Sequence, residues 1–239
     1  MSDTDYYGAM RIGAQTIGAR AVDPELVSAV TGEVLAADED PYVRYVAGFV
    51  AAGARVGGPH WRYADIATVL AAATELLSPA TYLEIGVRRG RSMGVVARRA
   101  PGCAIIGIDM WNPGYAGIEN PGPEHVRSHI ADCGHAGALE LLSGDSHNVL
   151  PKLFAERSGI EFDLITVDGD HSKRGADRDL RDVMPHLRVG GALVFDDISH
   201  PAHPYLRAVW NRRVASDGRY ATWSFDDVGY GVAVAVRRW

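Results

Sequence analysis

From Thr81 onward, short β-rich runs and helical segments take turns, and that alternation constrains the fold more than any other feature of the chain. The runs occupy residues 81–86, 104–109, 139–143, 162–168 and 191–196. Helical patterns fall near 92–99, 123–133, 147–157, 175–187 and 204–215. Apolar strands separated by helices imply a parallel sheet covered on both faces. The ending breaks the rule. Residues 220–225 and 230–236 are two strand-like runs with only Asp226, Asp227, Val228 and Gly229 between them. With no helix to cross over, they are expected to pair antiparallel on the sheet edge. The expected class is α/β, a mostly parallel seven-stranded sheet with a terminal antiparallel β-hairpin.

The 239 residues suffice for one such domain with an appendage. We divide the chain into an N-terminal helical extension, 1–79, and a domain, 80–239. Within the extension, helices are expected over 24–37, 41–54 and 63–77, broken at Gly57, Gly58, Pro59 and His60 and stopped near Ser78 and Pro79. The extension carries no chemical motif, so a lid over the active site, a subunit interface, or both, is expected of it. The apolar stretch 42–50 needs burial somewhere. The net charge of −6 gives no reason to expect nucleic acid. Cys103 and Cys133 match no metal or redox spacing and read as reduced thiols. The start, residues 1–5, is acidic without an apolar signal core, and no run is long enough to span a bilayer. A cytoplasmic, non-membrane protein is expected.

The first run leads into Gly86-Val87-Arg88-Arg89-Gly90-Arg91-Ser92. Gly86 and Gly90 allow a tight turn and close approach to a ligand. Ser92 can cap the helix that follows, whose N-terminus favours an anion. Arg88 or Arg91 can reach a ligand carboxylate, although the cluster Arg88, Arg89, Arg91, Arg98 and Arg99 reads first as a solvated helix face. The glycine spacing does not reproduce the dinucleotide fingerprint G-x-G-x-x-G. The second run ends on Asp109, about 20 residues on, where an acid can hydrogen-bond both ribose hydroxyls. Met110 and Trp111 follow, placed to flank the ribose or adenine; packing explains Trp111 equally well. Gly144-Asp145-Ser146 closes the third run, either to hold an adenine amino group or to cap a helix.

Together, Leu83-Glu84-Ile85-Gly86, Gly107-Ile108-Asp109 and Gly144-Asp145-Ser146 resemble the class I S-adenosylmethionine-dependent methyltransferases, over about residues 80–239. Within them, Val167-Asp168-Gly169-Asp170-His171 and the segment 190–197 resemble small bacterial metal-dependent O-methyltransferases, including the macrocin-type enzymes that methylate sugar hydroxyls of natural products. The resemblance implies a Rossmann-like sheet and S-adenosylmethionine as cofactor. It implies Glu84 near the methionine amino end, Asp109 on the ribose, and Asp145 with Ser146 near adenine.

Asp168 and Asp196 end neighbouring strands, and Asp170 and Asp197 lie beside them. Strand carboxyl ends in an open sheet share one crevice. Crowding like charges there without a cation is costly. A divalent ion resolves the conflict, and oxygen ligands favour Mg²⁺, with Mn²⁺ or Ca²⁺ as alternatives. The resemblance implies Asp168, Asp196 and Asp197 as the ligands, with Asp168 also facing the cofactor. Solvated loop acids are the competing reading. Asp170 and His171 are the candidate bases. Bacterial sugar O-methyltransferases carry an acid at the first position, and plant and animal relatives a lysine at the second. The residues do not separate the two, and Asp170 is slightly preferred. His200 and His203 lie on a proline-fixed loop over the same crevice, available to an acceptor. Trp210 and Trp223 read as packing residues.

The expected function is therefore O-methylation of a small hydroxylated acceptor, a sugar on a glycosylated natural product first and a phenol or catechol second, by a homo-oligomer. A metal-dependent hydrolase or hydroxylase-like enzyme and an inactive cofactor-binding module are the alternatives. A nicotinamide-dependent oxidoreductase is disfavoured by the glycine spacing and the terminal hairpin.

Overall fold

A computed structural model describes residues 10–38, 40–114 and 117–239. The acidic start at 1–5 lies outside them. The helices of the extension begin where aspartate precedes a good first turn. Asp23 and Asp40 each precede a proline, take extended backbone, and cap α2 (Pro24–Ala37) and α3 (Pro41–Gly57) through their carboxylates. Asp65 and Thr68 form a reciprocal capping box at the start of α4 (Ile66–Leu77), which is why that helix begins after Tyr63. A short helix not expected from the sequence, α1 (Ala14–Ala21), precedes them.

The strands are β1 (Thr81–Ile85), β2 (Ala104–Asp109), β3 (Leu139–Ser143), β4 (Phe162–Val167), β5 (Leu187–Asp196), β6 (Tyr220–Phe225) and β7 (Val232–Arg237). They form one seven-stranded sheet in the order β3-β2-β1-β4-β5-β7-β6. The first five are mutually parallel, and β7 runs antiparallel to both β5 and β6. The hairpin thus inserts its second strand beside β5 and leaves β6 on the edge. β5 starts earlier than expected, at Leu187, with a register shift against β4 between Phe162 and Leu164. The crossover helices are α5 (Arg91–Arg99), α6 (Pro123–Asp132), α7 (Ser146–Glu156) and α8 (Lys173–Val183). α9 (Leu206–Trp210) runs into a wide helical turn, Asn211–Ala215.

One face of the sheet packs against α1, α2, α4, α5 and α6 around Ile17, Leu70, Tyr82, Met93 and Val234. The other packs against α7, α8 and α9 around Leu83, Leu150, Phe162, Leu180 and Trp210. The extension and the sheet therefore share a core across the 79/80 boundary. Each fully buried Leu or Ile here contributes about 1.5–3 kcal/mol. Cys103 and Cys133 are free and buried. Among the described residues no helix is long and apolar enough to cross a membrane. Strand order reverses between β1 and β4, and in an open sheet the crevice at such a switch point takes the ligand.

Candidate active site

On one side of that crevice the backbone is drawn in tightly. Gly86 has φ +91°, and a Cβ added there would lie 1.9 Å from the carbonyl oxygen of Asp168. Asp109 accepts backbone hydrogen bonds from Arg88 at 2.7 Å and from Trp111 at 2.5 Å. Both donors hold left-handed backbone, φ +52° and +54°, which costs a non-glycine residue about 1–2 kcal/mol. One carboxylate thus fixes two strained turns, and its remaining lone pairs are available to ribose hydroxyls.

Other expected cofactor contacts sit differently. Glu84 is fully buried, accepting from Tyr82 at 2.7 Å and from Ser92 Oγ. Burial pushes its pKa up to about 8. It lies beneath the crevice and holds Ser92, which does line it. Ser92 does not cap α5; Gly90, φ +78°, occupies that position. Trp111 packs against the core and donates from Nε1 to Ser143 at 2.9 Å, while Met110, 57% exposed, faces the crevice. Asp145 caps α7 by accepting from the His147 amide at 2.9 Å, and Ser146 donates to buried Asp179 at 2.7 Å. Both still line the crevice.

At the other end, the ends of β4 and β5 meet. His171 Nε2 lies 3.1 Å from Asp168 Oδ1 and 3.6 Å from Asp197 Oδ2. One ligand atom from each of Asp168, His171 and Asp197 falls within 4.8 Å of the others, an arrangement that can hold a metal ion. His171 thus occupies the place in this group that the sequence reading gave to Asp196. Burial raises the pKa of Asp196, and the charges of Asp168, Asp197 and Asp65 raise it further. Burial and Asp168 likewise raise Asp197, which holds left-handed backbone at φ +60°. Burial opposes protonation of His171, but its hydrogen bond to Asp168 and the surrounding acids prevail, and its pKa is raised.

The two candidate bases are separated by this geometry. Asp170 is exposed, accepts from the Ser172 amide at 2.7 Å, and lies over Gly175 at the start of α8. His171 sits inside the acid group, its carbonyl held by the Tyr205 hydroxyl at 2.9 Å. His203 stacks on His171, and His200 on His203, each at 5.0 Å between centroids.

A cavity of about 950 Å³ joins the Asp109 end to the Asp168–Asp197 end. Residues 83–198 match the family described as a methyltransferase domain. The match takes in just under half of the chain. TomG from Streptomyces achromogenes, an O-methyltransferase of tomaymycin synthesis solved with S-adenosylmethionine, is similar in fold. Its TM-score is 0.58 at 24% identity, over 72% of this chain and 79% of that one. CalS11, calicheamicin methyltransferase, aligns over 100% of this chain and 99% of its own, with a TM-score of 0.57 at 17% identity. The tRNA (guanine-N(7)-)-methyltransferase of Psychromonas ingrahamii is 32% identical over 121 residues, 46% of this chain and 44% of that protein. The chain spans less than two thirds of the length of the curated relatives it matches, 44% and 66%.

The turn after β1 is tied to the helical extension by charge. Arg89 and Arg91 both donate to Asp38, and Arg91 also to Asp40. The side chains are 14% exposed for Arg89 and 7% for Asp38. Arg99 pairs with Glu33 and Glu75. These arginines do not form the solvated face expected from the sequence. The acids that engage them are distant in the chain and invisible to local pattern.

The extension also supplies site residues that sequence reasoning missed. Asp65, Tyr42 and Tyr63 line the same cavity as Asp168 and Asp197. Burial raises the Asp65 pKa, and its carboxylate accepts from the Tyr63 hydroxyl at 3.1 Å. Its sequence signal was the Asp65/Thr68 capping spacing, which announces a helix start and no chemistry. Trp210 stacks on Phe195 and Trp223 lies against Gly18, packing roles as expected.

Proposed function

We propose that this protein is an O-methyltransferase that uses S-adenosylmethionine to methylate a hydroxyl of a small molecule, with a divalent cation at the acid group. The observation that carries the reading is the single cavity joining the Asp109 turn to the Asp168, His171 and Asp197 group. The fit to a nucleoside rests on Gly86, where no Cβ has room, and on Asp109 held ready between two amides. The fit to a cation rests on the donor set. The carboxylates of Asp168 and Asp197 converge with Asp196 behind them, and burial works against the charge of Asp196 and Asp197. Oxygen-rich sites favour Mg²⁺ or Mn²⁺.

Bound S-adenosylmethionine supplies an electrophilic methyl, and a bound cation supplies charge stabilisation for a developing alkoxide. The chain's own part is positioning and proton transfer. Asp109 orients the nucleoside. Asp168 and Asp197 hold the cation. His171, whose Nε2 is bonded to Asp168, takes the acceptor's proton. Helices α2 and α3 line the acceptor end.

A sugar hydroxyl on a glycosylated natural product is the leading acceptor class, with a phenol or catechol second. CalS11 is named as a TDP-rhamnose 3'-O-methyltransferase and TomG as an enzyme of tomaymycin synthesis, which supports tailoring chemistry. The relative named for tRNA raises RNA as an acceptor. A net charge of −6 and four aspartates at the acceptor end, Asp65, Asp168, Asp196 and Asp197, oppose a phosphate backbone. A cytoplasmic location and a homo-oligomer complete the reading; light scattering tests the latter.

The test is calorimetric titration of S-adenosylmethionine and S-adenosylhomocysteine, with and without Mg²⁺. Saturable binding is expected. No binding under either condition overturns the reading.

A further inference from the structure

We infer that the acceptor end of the cavity selects by charge, favouring amine-bearing and neutral hydroxylated rings and rejecting anions. This rests on the methyl-transfer reading and deepens it. The charges lining the cavity are segregated. Its arginines, Arg88, Arg89 and Arg91, all belong to the turn after β1 and the first residue of α5, and Arg89 and Arg91 are engaged by Asp38 and Asp40. At the other end stand Asp65, Asp168, Asp196 and Asp197, with His171, His200 and His203 beside them. Among the described residues no lysine or arginine lines that end, and residues 1–9, 39, 115 and 116 contain neither in sequence.

The walls reinforce the selection. Tyr42, Tyr45, Phe49 and Tyr63 line the acceptor end, with Phe49 and Tyr63 at 5.8 Å and Tyr45 and Phe49 at 6.4 Å between ring centroids. Such faces accept the flat side of a ring or sugar and attract an ammonium group. An acceptor carboxylate or diphosphate would meet like charge in a partly desolvated space where salt screens poorly. It would find no guanidinium or ammonium to pair with. A nucleotide-linked sugar is therefore a poor fit, and a free or amine-bearing glycoside or catechol a good one.

A matched series tests this. Dopamine, 4-methylcatechol and 3,4-dihydroxybenzoate share a catechol and differ in charge. Each is titrated calorimetrically into protein already saturated with S-adenosylhomocysteine, with and without Mg²⁺, and then assayed for methylation with S-adenosylmethionine. The expected order of affinity is dopamine, then 4-methylcatechol, then the benzoate, with the benzoate at least about tenfold weaker than the neutral compound. Tyr45→Arg, at a residue 61% exposed, places a cation on the aromatic wall and is expected to reduce that gap severalfold. Equal or reversed affinities overturn the inference. So does failure of all three catechols to bind a protein that binds S-adenosylhomocysteine. Failure to bind S-adenosylhomocysteine itself overturns the methyl-transfer reading, and the inference falls with it.

Discussion

Gly86 and Asp168 are in backbone contact: a Cβ added to the glycine would lie 1.9 Å from the aspartate's carbonyl oxygen. The turn after β1 and the strand end that begins the acid group therefore share one wall. Gly86→Ala must relieve both this clash and a φ of +91°. Its expected cost is about 1–3 kcal/mol of stability, read as a fall in Tm. Loss of S-adenosylhomocysteine binding beyond tenfold should accompany it. An alanine variant with unchanged affinity would disprove the close approach.

Asp109→Ala removes the acceptor of two amides on left-handed residues, Arg88 and Trp111. Both turns should relax, and the ribose partner is lost with them. We expect a loss of affinity for S-adenosylhomocysteine of at least about 100-fold, since hydrogen bonds to a charged group contribute about 1.5–3 kcal/mol. Asp109→Asn should recover little, because an amide offers only one acceptor oxygen to two amides. Calorimetry on both variants decides the point, and unchanged affinity in the alanine variant would place the ribose elsewhere.

The strand–helix alternation was legible because apolar runs and turn residues are local signals. β2, β3 and β6 lie where the sequence places them. Asp168, Asp170, Asp196 and Asp197 were legible as a cluster because strand ends in a parallel sheet converge. Position alone could not say which side chains point together. His171 turned into the group, and the Asp170 carboxylate turned to its own backbone, for reasons fixed by Ser172 and Tyr205. Asp38, Asp40, Asp65 and Tyr42 were illegible as site residues because their partners lie far away in sequence. For Asp40 and Asp65, helix capping accounts fully for the local pattern.

Glu84 gives the fold a pH dependence of calculable sign. Burial raises its pKa from 4.5 to about 8, so the folded state keeps a proton that the unfolded state has already lost. Its stabilising contribution is fully present below about pH 4.5 and is lost as pH rises through about 8. Glu84→Gln stays neutral and keeps partners for Tyr82 and Ser92. Relative to the variant, the wild-type protein should lose stability between those limits and show a constant difference above them. Denaturant unfolding at pH 5, 6.5 and 8.5 checks this; parallel pH curves for the two proteins would refute it.

The Asp38 clasp should be needed for both folding and cofactor affinity. Asp38→Ala leaves Arg89 and Arg91 without their shared carboxylate, in a setting where both are largely buried. Breaking a buried pair from one side costs about 3–5 kcal/mol. Arg91 retains Asp40, so the lower end of that range is expected. Unfolding in urea measures the loss. The same variant should bind S-adenosylhomocysteine more weakly, because the turn after β1 is no longer held. A change below about 0.5 kcal/mol would mean the arginines find water instead.

The base is decided by comparing His171→Ala with Asp170→Asn. His171 stands 3.1 Å from Asp168 with a raised pKa, whereas Asp170 is exposed and bonded to the Ser172 amide. A general base contributes about 10²–10⁴-fold. His171→Ala should lower kcat by that factor, keep S-adenosylhomocysteine affinity, and bind Mg²⁺ within about tenfold of wild type through Asp168 and Asp197. Asp170→Asn should cost less than about tenfold, because its amide oxygen can still accept from Ser172. Loss of cation binding in His171→Ala would make the imidazole a ligand instead of a base. The reverse ranking of the two kcat values would return the proton to Asp170.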